Sequence, residues 1–85
     1  MKARVYVTLK PGVLDPQGQA TQKTLGRLGY DNVQNVRIGK YVELEVDGKS
    51  GDEARSQIDE MCRRLIANTV IEDYRIELIQ PDPQG

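Results

Sequence analysis

Hydrophobic and polar residues alternate along four short stretches of the chain, a pattern typical of strands that bury one face. These stretches are residues 4–10, 35–38, 41–46 and 73–80. The side chains expected on the buried face are Val5, Val7, Leu9, Val36, Ile38, Val42, Leu44, Val46, Tyr74, Ile76 and Leu78. Glycine suits the first central position of a type II′ turn, so Gly39-Lys40 predicts a hairpin between the second and third strands.

A first helix is predicted between the first two strands. Asp15 and Pro16 provide an N-cap and a first helical residue, and Gly29 provides a stop. The helix is therefore expected to run from Pro16 to about Leu28. The residues expected on its buried side are Ala20, Thr24, Leu25 and Leu28.

A second helix is predicted after the third strand. Ser50 and Glu53 have the spacing of a capping box, in which each side chain satisfies a free backbone N–H. Apolar residues then recur every three or four positions, which indicates one buried stripe. The stripe consists of Ala54, Ile58, Met61, Cys62, Leu65 and Ile66.

The order strand, helix, strand, strand, helix, strand in 85 residues predicts one α+β domain of the ferredoxin-like class. Such a domain has a four-stranded antiparallel sheet with both helices on one face. We expect it to occupy residues 1–80 and to be followed by a flexible tail, residues 81–85.

The charge composition argues against two classes of partner. The chain has 12 basic and 13 acidic residues and a net charge of −1, whereas nucleic-acid and membrane-surface binding need concentrated positive charge. No apolar run approaches the ~20 residues of a membrane-spanning helix, and the first residues lead into a strand rather than a signal segment. We therefore expect a cytoplasmic protein that binds neither nucleic acid nor membrane.

The sequence offers no familiar set of catalytic side chains. It has no histidine, and its one cysteine, Cys62, lies on the apolar stripe of the second helix, where a buried and inert thiol is expected. The glycine-flanked residues 12–18 are followed by Gln19 and Ala20, not by the Lys-Ser/Thr pair of a phosphate-binding loop. We predict no catalytic residue, no cofactor-binding residue and no metal ligand in this chain.

The sheet face opposite the helices is expected to be polar and mixed in charge. Tyr6 and Tyr41 lie on it, as aromatic residues do in RNA-recognition domains, but Glu43 and Glu45 share the face and would repel phosphate. Acylphosphatase-like enzymes place an arginine in the loop after the first strand, and residues 11–17 contain none. A solvated face and a protein interface fit this pattern equally well.

Four segments resemble the PurS family, the small subunits of bacterial and archaeal phosphoribosylformylglycinamidine synthase. In family order they are residues 11–18 (PGVLDPQG), 28–30 (LGY), 36–44 (VRIGKYVEL) and 70–74 (VIEDY). The resemblance implies a subunit without an active site that bridges, as a dimer, a large synthetase subunit and a glutaminase subunit. It further implies that this subunit supports ammonia transfer in de novo purine biosynthesis, and that ATP and magnesium bind the large subunit of this glutamine-dependent ligase.

Two loops form the candidate partner interface, whose residues are Val13, Leu14, Asp15, Arg37, Gly39 and Lys40. Val13 and Leu14 are apolar in a loop, where polar residues are usual. Lys40 has no evident task at a hairpin tip, so it and Arg37 are expected to meet an acidic patch on a partner. A small core without disulfides favours a homodimer or larger assembly. The alternative function is a small-ligand regulatory domain of the amino-acid-sensing type, which shares this element order.

Overall fold

The computed structural model describes residues 1–47 and 50–79. In these residues the chain forms three strands, β1 (Lys2–Leu9), β2 (Lys40–Glu45) and β3 (Glu72–Ile79), and two helices, α1 (Pro16–Arg27) and α2 (Gly51–Met61). A π-helical turn, Cys62–Ile66, follows α2 directly. β1 is the central strand and pairs antiparallel with both β2 and β3. The predicted α+β class is confirmed, and the predicted flexible tail lies outside the described residues.

The buried face of the sheet is the one that the alternation predicts. Val5 lies opposite Val42 on one side and Ile76 on the other, and it is buried together with Ala3 and Val7. Helix α2 covers this face by packing against β3. Burial of each larger aliphatic side chain contributes roughly 1.5–3 kcal/mol, so this single layer is the main source of stability.

The predicted second strand, residues 35–38, is wrong, and with it the four-stranded sheet. Residues 33–39 have no regular secondary structure, and Asn35 has a φ of 57°, in the left-handed region that interrupts a strand. The backbone N–H of Ile38 donates to the side chain of Asp15 instead of to a neighbouring strand. The described sheet therefore has three strands rather than four.

The hairpin predicted at Gly39-Lys40 is also wrong. Lys40 is the first residue of β2 and pairs with Val7 of the central strand. Gly39 is needed for a different reason, because a Cβ at this position would overlap the carbonyl oxygen of Val7. The glycine thus allows the chain to enter the sheet close to β1.

Helix α1 starts and stops as predicted, but its expected buried side is wrong. Asp15 is the N-cap, and Gly29, just beyond the helix, has a φ of 101°. Leu28 is 69% exposed, and Ala20 and Thr24 are exposed as well. Whereas α2 packs against β3, α1 makes no comparable contact with any described strand. The two helices therefore do not cover one face together.

The molecule is extended because α1 stands away from the sheet. Its radius of gyration is 16.7 Å, against about 12 Å for a compact chain of this length. Gly18, in the first turn of α1, is the buried residue of that helix. The helix is thus attached to the rest of the chain at its N-terminal end.

The buried stripe of α2 is confirmed up to Cys62 and then changes. Ala54, Ile58 and Cys62 are buried, but Leu65, which was expected beside them, is 85% exposed. The N–H of Ala67 donates to the carbonyl oxygen of Cys62, five residues back, at 2.9 Å, as in a π-helix. In a π-helical turn each residue rotates the chain about the helix axis by a smaller angle than in an α-helix. Leu65 therefore no longer lies on the same side of the helix as Ala54, Ile58 and Cys62.

Gly18→Ala is expected to destabilise the protein, and Gly26→Ala, in the same helix, to stabilise it. A Cβ at Gly18 would overlap the carbonyl oxygen of Val36, and relieving such an overlap costs about 1–3 kcal/mol. A Cβ at Gly26 meets no atom within 4 Å, so that variant gains roughly 0.5–1 kcal/mol. Urea unfolding measures both shifts, and a Gly18→Ala midpoint at or above the parent's would contradict the close approach.

Candidate partner-binding site

Three loops meet at one end of the sheet and contain every residue of the predicted interface. Leu9 ends β1 opposite Glu72, the first residue of β3, and Lys40 begins β2 nearby. We call residues 10–15, 36–40 and 65–72 the loop end. The structure therefore brings together Val13, Leu14, Asp15, Arg37, Gly39 and Lys40, although two separate loops contribute them.

Asp15 is the polar centre of the loop end. Its buried carboxylate accepts a hydrogen bond from the N–H of Ile38 on Oδ2 and from the N–H of Gly18 on Oδ1, each at 2.8 Å. These bonds, the one from Ile38 above all, lower the pKa of Asp15 below its usual 3.8, because they stabilise the charged form. One side chain thus caps α1 and fixes residues 36–38 against it.

Arg37, like Asp15, hydrogen-bonds to the backbone of the loop end, but it donates to carbonyl oxygens instead of accepting from N–H groups. Its guanidinium donates to the carbonyl oxygens of Lys10 at 3.1 Å, Leu9 at 3.2 Å and Val13 at 3.3 Å. The three carbonyls lie at the last residue of β1 and in the turn that follows it. The donors that were expected to meet a partner are therefore directed at the chain's own backbone.

Lys40 is also held within the chain. Its Nζ donates to the carbonyl oxygen of Ile66 in the π-helical turn at 2.9 Å and lies 4.0 Å from Oε1 of Glu72. The side chain is 57% exposed, so it stays accessible to another protein. The assignment of Lys40 and Arg37 to a partner interface stays a prediction, and each has an internal role that the sequence does not reveal.

The apolar part of the predicted interface faces solvent at Leu14. That side chain is 65% exposed, while Val13 is half-buried. Asp15 and Arg37 hold the loop on which both residues lie. The structure shows that Leu14 does not cover this chain's own core, and its contact with a partner stays a prediction.

The third loop of the site, residues 65–72, lies outside the interface that the sequence predicts. Asn68 organises this loop: its side-chain oxygen accepts from the N–H of Val70 at 3.1 Å, and its carbonyl accepts from Ile71 and Glu72 at 3.1 and 2.7 Å. The apolar pair Val70-Ile71, in a loop between a helix and a strand, could have indicated this third loop. Leu65 gave none, because helical periodicity placed it in the core.

The open face of the sheet is mixed in charge, as predicted, and two of its arginines interact with neighbouring side chains of the same face. The rings of Tyr6 and Tyr41 have centroids 5.3 Å apart, and the Arg75 guanidinium lies 4.3 Å from the centroid of Tyr6. Arg4 forms an ion pair with Glu77 at 2.9 Å. Because Arg75 covers the Tyr6 ring, this tyrosine is not a free platform for stacking a base.

The described residues show little that would support chemistry. Cys62 is buried, as predicted, and burial raises the pKa of its thiol. In residues 1–47 and 50–79 no group of three His, Cys, Asp or Glu side chains is placed to hold a metal ion. None of the described helices has the length and apolar character needed to cross a membrane.

Comparison with known proteins identifies the family. The PurS family, described as phosphoribosylformylglycinamidine (FGAM) synthase, matches residues 2–80. The phosphoribosylformylglycinamidine synthase subunit PurS of Bacillus subtilis is 54% identical over 91% of this chain and 90% of that protein. The chain belongs to the PurS family. The resemblance seen in the sequence motifs is therefore confirmed.

Solved PurS-family structures share the fold. PurS of Methanocaldococcus jannaschii, described as one of the subunits of formylglycinamide ribonucleotide amidotransferase, superposes with a TM-score of 0.85 at 36% identity, over 95% of this chain and 98% of that chain. A chain in the structure of PurLQS from Thermotoga maritima superposes with a TM-score of 0.82 at 28% identity, over 89% of this chain and 93% of that chain. The described three-stranded arrangement is thus similar to PurS-family structures.

Asp15→Ala is expected to lower the Tm at neutral pH and to flatten the loss of stability in acid. Because the folded state holds this carboxyl at a pKa below 3.8, its contribution is complete above that value and is lost as the pH falls through the folded-state pKa. Asp15→Asn is the matched control, since it keeps an N-cap oxygen without an acid group. Thermal unfolding across the acid range tests this; an Asp15→Ala variant that loses stability in acid as steeply as the parent would argue against it.

Proposed function

We propose that this chain is the small subunit of a phosphoribosylformylglycinamidine synthase complex in de novo purine biosynthesis. In this role it bridges an ATP-dependent synthetase subunit and a glutaminase subunit and supports ammonia transfer between them. The observation that carries the proposal is the PurS-family match over residues 2–80 together with the likeness to a chain of the Thermotoga maritima PurLQS structure.

The geometry supports a binding role rather than a catalytic one. Asp15 and Arg37, which would be conspicuous in an active site, hold the chain's own backbone. In the proposed complex, ATP and magnesium bind the synthetase subunit, and this chain contributes no cofactor ligand. For a complex with this role in purine biosynthesis we expect a location in the cytoplasm.

In this proposal, some residues of the predicted interface contact a partner subunit, and others hold the loops in place. Leu14, with Val13 beside it, makes the contact with a partner subunit. Asp15, Arg37 and Gly39 hold the loop end in the shape that presents Leu14. Lys40 stays half-exposed at the rim, where a charge mainly affects the rate of association.

A homodimer or larger assembly is part of the same proposal. Just beyond α1, Leu28 is 69% exposed and Tyr30 is 57% exposed, and the helix itself covers no described strand. Val42 and Leu44 on the core face of β2 are only half-buried. A second copy that covers these side chains would supply the apolar burial that a chain of this size lacks.

The alternative function, a small-ligand regulatory domain, receives no support from the family comparison. Calorimetric titration with amino acids and nucleotides separates the two hypotheses, since a regulatory domain predicts heat of binding to the isolated chain. A bridging subunit predicts none.

Reconstitution tests the proposed function. With the two catalytic subunits, ATP and substrate, adding this chain should raise glutamine-dependent product formation by about tenfold or more, because bridging raises the effective concentration of ammonia at the synthetase. Ammonium chloride in place of glutamine is the control, and the stimulation should shrink there because free ammonia needs no bridge. An equal glutamine-dependent rate with and without the chain would overturn the proposal.

Analytical ultracentrifugation tests the assembly state. The parent chain is expected to sediment as a dimer or larger species at micromolar concentration. Ala20→Arg, which places a charge on the exposed side of α1, should shift the distribution toward the monomer without lowering helix content. A parent chain that stays monomeric at these concentrations would exclude the homodimer.

A further inference from the structure

Strand β2 forms one edge of the sheet, and one side of its backbone has no partner in residues 1–47 and 50–79. Val46 and Met1, just beyond the paired strands, exchange both of their backbone hydrogen bonds, at 2.9 and 3.1 Å. Bonded and non-bonded pairs alternate along an antiparallel ladder, so every second residue of β2 counted back from Val46 bonds to β1. The N–H and C=O groups of the residues between them point away from β1. These outward groups, which we call the free edge, belong to Tyr41, Glu43 and Glu45.

The free edge lies where the predicted second strand would have paired. The sequence pattern places residues 35–38 beside β2 through a hairpin, where they would cover its outer side. Ile38 is instead bound by the side chain of Asp15, and residues 33–39 form no strand. The described residues thus leave the position beside β2 without a strand, although the element order of the chain calls for one there.

The opposite edge of the sheet is less open. Val5 gives its N–H and C=O to Val42, so the backbone groups of Ile76, on the other side of Val5, face away from β1. Arg55 of α2 reaches the carbonyl oxygen of Ile76 at 3.5 Å. A charged side chain over an edge strand hinders pairing with another chain. The hydrogen bonds within the described residues include none to the free edge of β2, so β2 is the edge available for pairing.

The apolar core face is incompletely covered at β2. Ala3 and Val5 on β1 are 1% and 0% exposed, whereas Val42 and Leu44 on β2 are half-buried. A twofold axis perpendicular to the sheet reverses the strand direction without turning the sheet over, so it keeps the core faces of two copies on the same side. Val42 and Leu44 of one copy would then lie beside those of the other and continue one apolar face.

The charges of β2 favour an antiparallel partner with the same sequence. The strand begins with Lys40 and carries its carboxylates, Glu43 and Glu45, in its second half. Antiparallel pairing of two copies brings the cationic end of each strand to the anionic end of the other, whereas parallel pairing would set like charges side by side. A second copy always presents the same free edge, and a twofold contact closes on itself. A different protein would fit only if it also exposed an unpaired strand.

We propose that β2 pairs antiparallel with β2 of a second copy, so that two three-stranded sheets join into one sheet of six strands. This inference deepens the homodimer of the proposed function and rests on it. The stability of the contact comes from backbone hydrogen bonds along the free edge and from the cover given to Val42 and Leu44. The side chain of Glu43, on the open face of the sheet, contributes little to it.

Two variants at one position test the pairing by analytical ultracentrifugation. Glu43→Pro removes an outward N–H, and because that group has no partner within the chain, the folded chain loses no hydrogen bond. The dissociation constant of the dimer should rise by about tenfold or more, since the contact loses one donor from each copy and meets the proline ring. Glu43→Thr is the matched control, because it removes the same charge but keeps the N–H, and it should associate like the parent. Circular dichroism should show the parent's secondary structure in both.

Amide hydrogen exchange in the parent chain, followed by NMR, gives a second test that needs no variant. The N–H groups of Tyr41, Glu43 and Glu45 should exchange about tenfold or more slowly in a mostly dimeric sample than in a dilute, mostly monomeric one. The outward N–H of Ile76 on β3 is the control and should exchange at the same rate in both samples. Free exchange of the β2 groups at every concentration would overturn the pairing, whether or not Glu43→Pro folds.

The outcomes separate this inference from the proposed function. A monomeric parent chain excludes the proposed homodimer and the strand pairing with it. If the parent associates and folded Glu43→Pro associates equally well, or if Glu43→Thr is weakened as much as Glu43→Pro, only the pairing through β2 is overturned. A chain that pairs through β2 but does not stimulate the catalytic subunits would refute the bridging role and support the pairing.

Discussion

The carboxylate of Asp15 receives N–H groups from two places that the chain must hold together: the first turn of α1 and the segment that leads into β2. Both bonds are short and the carboxylate is buried, so loss of either would leave a buried polar group without a partner. Arg37 completes the arrangement by donating to three carbonyls at the end of β1 and in the turn after it. Residues 36–38 are thus held by hydrogen bonds of the Asp15 and Arg37 side chains to the backbone, and not by the strand pairing that the sequence pattern predicted.

Much of the fold can be predicted from local pattern. Period-two alternation locates β1, β2 and β3, and the caps at Asp15 and Ser50 mark the helix starts. Residues 36–38 carry the same alternation and yet form no strand. Their backbone is bound by Asp15, more than 20 residues away in sequence, and such a contact leaves no trace in a local pattern.

The sequence grouped the predicted interface residues, which do lie near one another, but it did not reveal the contacts that they make. Both loops of the predicted interface lie at the loop end, yet the carbonyls that Arg37 and Lys40 bind belong to segments distant in sequence. The exposure of Leu65 depends on a π-helical turn, for which the helical period gave no warning. The exposure of the predicted buried side of α1 was not foreseen, because periodicity identifies the apolar side of a helix but not the element that covers it.

The chain is thin, which limits the ways in which it could direct the movement of ammonia. Its Cα extents are 49 × 33 × 14 Å, so its shortest dimension is little more than a helix layer resting on a sheet layer. A body of that thickness, filled by one layer of side chains, has no room for an internal tunnel. Ammonia that passes between two catalytic subunits would therefore travel along this chain and not through it. In the proposed complex, any passage for ammonia is therefore bounded by this chain on one side only, and the neighbouring subunits must enclose the rest.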